Sequence, residues 1–304
     1  MDIYLNGRML PPDDARVPVT DAGLQHAVGL FETFQAHHGV AFRLDAHLAR
    51  LADSAHALGL AASLNPAPLA DAVRQTIEHN RIDRARLRLT LTAGTLSLLK
   101  GDESANGNGG GAAPQVRQTV AIVPSEPTRF ADDYFEKGIT VVIHGPGANP
   151  FDETAGRKTL NYWERLRSLR RAATAGAGEA LWLNITNHLA SGAVSNVVLA
   201  RGGRLYTPFA RGEEVKGALA APVLPGITRA AVIECAEKRG FEVIRRMLTV
   251  DDLLEADEVF LTNSGWGVLP VTKIEKHTVG AGVAGELTSA LRADYLALVE
   301  AETA

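Results

Sequence analysis

Residues 191–208 read SGAVSNVVLARGGRLYTP. Within them SNVVLA (195–200) reads as a strand, and ARGGRLYTP marks a tight hairpin turned by paired glycines. Further strands are expected on both sides, at ITVVIH (139–144), ALWLNI (180–185), FEVIRRM (241–247) and DEVFLT (257–262). Helices are expected between them at 159–172 and 227–239. The first carries Leu160, Trp163, Leu166 and Leu169 at helical spacing. The second starts after Pro225-Gly226 and stops at Gly240. Toward the N-terminus, short strands are expected at 3–5 and 17–19. A helix is expected from an Asp45 N-cap, because Leu44, Leu48, Leu51, Ala55 and Leu58 form an apolar stripe. Another helix is expected near 69–79. RLRLTLT (86–92) alternates strictly, with Leu87, Leu89 and Leu91 on one face and Arg86, Arg88, Thr90 and Thr92 on the other. The pattern is that of an α+β chain.

The chain has 304 residues, 46% hydrophobic and 22% charged, which is enough apolar surface for a buried core. A formal net charge of −4 argues against electrostatic nucleic-acid binding. No apolar run approaches the ~18 residues of a membrane span, and MDIYLNGRML does not read as a signal peptide. Cys235 is the only cysteine, so no internal disulfide is possible. A soluble, cytoplasmic protein is expected. GDESANGNGGGAAP (101–114) lacks apolar periodicity and is expected to be a mobile surface loop. PSEPTRF (124–130) punctuates the chain with two prolines. The expected division is a smaller N-terminal domain (1–124), a linker (125–130) and a larger C-terminal domain (131–304).

Candidate chemistry begins with lysine. Of seven lysines, Lys158 stands apart: it follows a glycine-bearing connection at the expected entrance of a helix. A desolvated lysine there can form a Schiff base; the same position also suits a solvated lysine beside Arg157. LPGITR (224–229) puts Ile227 and Thr228 at a helix N-terminus, where free N–H groups and the dipole attract anions, or where Thr228 simply caps. LTNSGWG (261–267) ends a strand in a hydroxyl-bearing turn, an anion nest or an ordinary turn. Arg50 lies beside His47 and Ser54 at the edge of the leucine stripe, placed either to reach a phosphate or to snorkel. The histidines show no metal-ligand spacing, so no metal is expected, and no G-x-S-x-G occurs.

The order of these segments resembles that of the fold type IV pyridoxal-phosphate enzymes, the class IV aminotransferases. That family includes branched-chain aminotransferases, D-amino-acid aminotransferases and aminodeoxychorismate lyases. The matching segments are DAGLQHAVGLFET (21–33), FRLDAHLARL (42–51), GRKTLNYWERL (156–166), residues 191–208, LPGITR (224–229) and EVFLTNSGWGVLPV (258–271). The resemblance implies two α/β domains with pyridoxal 5′-phosphate between them, usually in a homodimer. It implies Lys158 as the Schiff-base and proton-shuttling lysine, in the larger domain. It implies Arg50, Ile227, Thr228 and Ser264 as the phosphate ligands, and Tyr162 at the cofactor's ring oxygen.

One position departs from the family. E-G-x-x-S-N is usual where this chain has Ser191-Gly192-Ala193-Val194-Ser195-Asn196, so the glutamate expected at the pyridine nitrogen is Ser191. A neutral hydroxyl lets that nitrogen lose its proton and weakens the ring as an electron sink. On substrate, Arg88 matches an arginine that several members carry and can receive a carboxylate bidentately, or it is a strand-face arginine. Phe31 replaces a tyrosine of the D-amino-acid enzymes, and Glu32 is expected to be structural. Ala93-Gly94-Thr95-Leu96 lacks the carboxylate trap of those enzymes. The expected activity is amino transfer between an amino acid and a 2-oxo acid. Alternatives are aminodeoxychorismate cleavage and a cofactor-binding protein with weakened turnover.

Overall fold

A computed structural model of the chain describes residues 1–95 and 118–304; the loop expected at 101–114 lies outside them. The chain divides into two compact units. One is Met1–Glu126 with Lys158–Asn161; the other is Pro127–Arg157 with Tyr162–Ala304. Among the described residues, no helix is long and apolar enough to cross a membrane.

The first unit runs β1 (Ile3–Leu5), β2 (Arg8–Leu10), α1 (Ala22–His26), β3 (Gly29–His37), β4 (Val40–Ala41), α2 (Leu44–Ala57), α3 (Pro66–His79), β5 (Ala85–Thr92) and β6 (Val120–Ser125). Its strands form one antiparallel sheet in the order β2-β1-β6-β5-β3-β4. The alternation of β5 appears as expected. Leu87, Leu89 and Leu91 are fully buried, in one core with Leu48, Leu51 and Ala55 of α2 and Leu69, Val73 and Ile77 of α3. Arg88 and Thr90 take the other face.

Three expectations are corrected here. Residues 17–19 are not a strand: Val19 is exposed, and Pro18 has no N–H to give a ladder. Helix α2 begins at Leu44, after Arg43 at φ +50°, so Asp45 sits in its first turn instead of capping it. Helix α3 begins earlier than expected, because the Asn65 side chain accepts from the Ala67 N–H and Pro66 fits the first turn.

The second unit runs α4 (Asp133–Glu136), β7 (Ile139–Ala148), α5 (Trp163–Thr174), β8 (Glu179–Asn184), β9 (Leu189–Gly192), β10 (Asn196–Arg201), β11 (Arg204–Thr207), α6 (Ile227–Lys238), β12 (Val243–Arg245), α7 (Val250–Leu254), β13 (Glu258–Asn263), β14 (Gly267–Ile274), β15 (His277–Thr278) and α8 (Glu286–Thr303). Its mixed sheet has the order β12-β11-β10-β13-β14-β7-β8-β9, with β15 on β14. The hairpin joins β10 to β11, with Gly202 and Gly203 both at positive φ. Helix α6 starts and stops where the sequence indicates, capped by Gly226.

Helix α5 does not. It begins at Trp163, not at 159, and it buries Ser168 and Ala172. Trp163 and Leu166 are 75% and 57% exposed, so the stripe read from the sequence is not its core face. Lys158 is therefore not at a helix entrance. It belongs to a short extended segment that packs with the first unit, not with the C-terminal part where it was expected.

Candidate active site

In the first unit, among the described residues, β4 pairs only with Ala36 and His37 of β3. The start of β3 thus has an open edge, and residues 158–160 fill it. The Phe31 N–H donates to the Lys158 carbonyl at 2.9 Å, and the Leu160 N–H donates to the Gly29 carbonyl at 2.9 Å. Thr159 bridges Leu30. The approach requires glycine at 29, because a Cβ there would lie 2.7 Å from Leu160 Cδ1 and 2.6 Å from the Leu91 carbonyl oxygen. The backbone of Lys158 is thereby fixed. Its Nζ lies 4.5 Å from the centroid of the buried Phe31 ring, and the Arg88 guanidinium carbon lies 3.7 Å from the same centroid. Arg88 stands opposite Thr33 in the β3–β5 register, diagonal to Phe31. Lys158 and Arg88 thus both approach one ring, that of Phe31.

Arg50 lies in the same unit and is mostly buried. Its Nε donates to Glu32 Oε1 at 2.9 Å and its Nη2 to Glu32 Oε2 at 2.5 Å. The ring of His47, one turn earlier on α2, meets the same carboxylate through Nδ1 at 2.8 Å and tilts against Phe34. Burial pushes the Glu32 carboxyl up. The Arg50 charge and the hydrogen bonds from His47 and Arg50 outweigh it and hold its pKa at about 2. Burial pushes His47 down, against the pull of Glu32, so the neutral imidazole donates its Nδ1 proton. Arg50 is thus held in a bidentate fork, and Glu32 is its holder.

In the second unit, α6 opens on Gly226, Ile227 and Thr228 with no side-chain cap and no acidic residue in its first turn. Its N–H groups and dipole remain available to an anion. Thr228 is buried at this terminus. Gly226 is required, because a Cβ there would collide with Asn196 Oδ1. Asn196 Nδ2 donates to the Leu224 carbonyl at 2.9 Å, so the first residue of β10 fixes the entry to α6. Arg229 is committed elsewhere: it forks onto Glu213 at 2.8 Å through both terminal nitrogens, burying its charge in a pair. Ser264 lies in the β13–β14 turn, where Asn263 Oδ1 accepts from the N–H groups of Gly265 and Trp266. Ser191 is buried in β9 opposite Trp182. Tyr162 immediately precedes α5, with the Arg165 guanidinium carbon 5.9 Å from its ring centroid.

The second unit thus carries an uncapped helix N-terminus with Thr228 and, in a separate turn, Ser264; the first carries an amine, a guanidinium fork and a second arginine. Each set is of the kind that can receive part of a phosphorylated aldehyde. Ser191 is the position that fits less well, since it offers a hydroxyl where a carboxylate would hold a protonated pyridine. The sequence reading missed the side chains that hold these donors: Glu32 as the partner of Arg50, and Glu179, Asn196 and Asn263 around the 192–196 turn. Charge alone signalled Glu32, an acid in an apolar strand. Among the described residues, no group of three or more His, Cys, Asp or Glu side chains is arranged to hold a metal ion.

The chain is similar to known proteins over nearly its whole length. The family model for class IV aminotransferases matches residues 29–274. A putative branched-chain-amino-acid aminotransferase of Methanocaldococcus jannaschii is 31% identical over 299 residues, covering 97% of this chain and 95% of that protein. The crystal structure of the Escherichia coli branched-chain amino acid aminotransferase superposes with a TM-score of 0.85 at 26% identity, covering 100% of this chain and 96% of that one. A second branched-chain amino acid aminotransferase, from T.th. and solved with N-(5′-phosphopyridoxyl)-L-glutamate, superposes with a TM-score of 0.82 at 27% identity, covering 99% and 94%. From the anion cup to the pinned lysine, and across nearly its whole length, the chain belongs to the class IV aminotransferases, the pyridoxal-phosphate enzymes of fold type IV.

Proposed function

We propose that the protein moves an amino group between an amino acid and a 2-oxo acid, with Lys158 as the residue that binds pyridoxal 5′-phosphate covalently and carries the substrate α-proton. The carrying observation is the pinned backbone of Lys158, which sends its Nζ toward Phe31 beside Arg88. When bound, the cofactor supplies the electron sink that makes the substrate α-proton removable. Lys158 takes that proton and returns it, which requires a free amine during turnover. Arg50, held by Glu32, contributes a charged fork to the phosphate. Ile227 and Thr228 contribute N–H groups and a hydroxyl, and Ser264 a second hydroxyl. Tyr162 would serve the ring oxygen. Ser191 would offer the ring nitrogen a neutral hydroxyl in place of a carboxylate, which would leave the ring a weaker electron sink.

Phe31 and Arg88 form the substrate side in this reading. Branched-chain names among the relatives support an aliphatic amino donor, and Arg88 is the group to receive a carboxylate. A homodimer is part of the proposal; with Cys235 single and buried, its interface is noncovalent. Light scattering at micromolar concentration tests this, and a fully active monomer removes it.

The central test is borohydride reduction of the purified protein followed by peptide mapping. A pyridoxyl adduct is expected on Lys158, with turnover abolished in Lys158→Ala. An adduct on any other lysine overturns the reading. Product analysis accompanies it: amino exchange with an oxo acid is expected, and pyruvate release without an acceptor would replace transfer by lyase chemistry.

A further inference from the structure

Residues 192–196, between β9 and β10, are gripped by two side chains of opposite charge. From α5, Arg165 Nη1 donates to the carbonyls of Gly192 at 3.2 Å and Ala193 at 2.9 Å. From the start of β8, the buried Glu179 accepts from the N–H groups of Ala193 at 3.1 Å and Val194 at 3.2 Å, and from Ser195 Oγ at 2.9 Å. Ala193 thus has its carbonyl on a cation, and its N–H is shared between the Ala180 carbonyl at 2.9 Å and the Glu179 carboxylate. Each charge meets the end of the peptide dipole that stabilises it, which leaves little freedom for rotation about this stretch. No side chain fits at 192, where a Cβ would lie 2.9 Å from Glu179 Oε2. Burial pushes the Glu179 carboxyl up, against the N–H and hydroxyl donors that favour its ionised form.

The same stretch is tied to the segments that carry the proposed cofactor positions of the second unit. It begins beside Ser191. It ends at Asn196, which fixes the entry to α6. Asn263 Nδ2 donates to the Val194 carbonyl at 3.2 Å, which ties in the turn that carries Ser264. Arg165 also packs over Tyr162 and lies 5.1 Å from the centroid of Trp182, the partner of Ser191 across the β8–β9 ladder. Four otherwise separate positions therefore share one support, and that support is held by two charges.

We propose that Arg165 and Glu179 are positioning residues for the cofactor: by clamping residues 192–196 from both sides, they set the ring-nitrogen partner Ser191 and the phosphate cup in register with each other. Neither touches the reacting atoms. The proposal rests on the cofactor-binding roles assigned above to Ser191, Thr228 and Ser264.

The test compares the holoenzyme with Arg165→Met, Arg165→Lys and Glu179→Gln. Three quantities are read: the dissociation constant of pyridoxal 5′-phosphate, the position of its bound absorbance band, and the melting temperature of the cofactor-free protein. In Arg165→Met the dissociation constant should rise by roughly tenfold or more, the loss expected of a charged hydrogen bond, and the band should shift. Arg165→Lys keeps the cation and should recover much of both. Glu179→Gln should loosen the cofactor similarly. If it does not fold, Ser195→Ala removes one of the bonds to Glu179 and should loosen binding by a smaller factor. Wild-type affinity and band position in both Arg165→Met and a folded Glu179 or Ser195 variant overturn the clamp, whatever the melting temperature does. Borohydride labelling of Lys158 in each variant keeps this failure distinct from failure of the parent reading, which would show as no adduct on Lys158 even in the wild type.

Discussion

In the proposed function the two units offer an anion different kinds of donor. The first uses a full positive charge, Arg50, and must hold it: Glu32 forks onto the guanidinium, and the neutral His47 closes the group. The second uses no charge at the cup itself. It presents the N-terminus of α6, Thr228 and Ser264, and the neighbouring arginine, Arg229, is neutralised by Glu213. A guanidinium fork has strength and direction but depends on a buried carboxylate staying ionised. A backbone cup is individually weaker and has nothing to titrate. The arrangements should therefore fail under different conditions.

The largest difference should appear in Glu32→Gln. Removing one member of a buried pair leaves Arg50 uncompensated, at a cost of about 3 kcal/mol or more in denaturant unfolding at neutral pH. The pH dependence follows from the depressed pKa of Glu32. Its contribution is complete above the ordinary value of 4.5 and is lost as pH falls from there to about 2. Wild-type stability should fall over that window, and Glu32→Gln should lose that part of the fall. Parallel curves would show that Glu32 carries no differential protonation.

Arg50→Ala should weaken cofactor binding by the value of a charge-assisted hydrogen bond, about 1.5–3 kcal/mol, or tenfold and more in dissociation constant. An unchanged constant would assign phosphate binding to the second unit alone. Ser191→Glu acts on rate instead. Amino transfer should quicken as the ring nitrogen gains a carboxylate, with cofactor retention little changed because the cup is untouched. A wild type that is already fast, joined with no gain in the variant, removes the role given to Ser191. The smallest effect belongs to Thr228→Ala. Loss of one neutral hydrogen bond costs about 1 kcal/mol, roughly fivefold in affinity at neutral pH. An unchanged dissociation constant would take the Thr228 hydroxyl out of the cup.

Local pattern made much of this fold legible. The alternation in β5, the Pro-Gly start and glycine stop of α6, and the double-glycine hairpin are each written within a few residues, and the structure has them there. The failures share a cause. The stripe Leu160-Trp163-Leu166-Leu169 has helical spacing, yet residues 158–160 spend their hydrogen bonds on β3, more than a hundred residues earlier. The open edge they fill is invisible from their own sequence. Arg50 and Lys158 stand out through family resemblance, not periodicity. Their holders escape a sequence reading because the pairing of Glu32 with Arg50, or of Glu179 with Ser195, is a contact between elements and leaves no local period. Ser191 is visible only as a departure from a motif.

The return of Lys158–Asn161 to the first unit also orders events during synthesis. A ribosome releases residues 1–126 well before residue 158, so the emerging first unit has Gly29 and Phe31 facing an edge with no partner. A nascent chain at that stage holds the arginine fork and lacks the amine. Lys158 can take its place only after the opening of the second unit, through Arg157, has been made, and Tyr162 must then carry the chain back out. Expressed alone, a fragment ending at Glu126 would expose that edge to other strands and would lack Lys158, the lysine proposed to hold the cofactor.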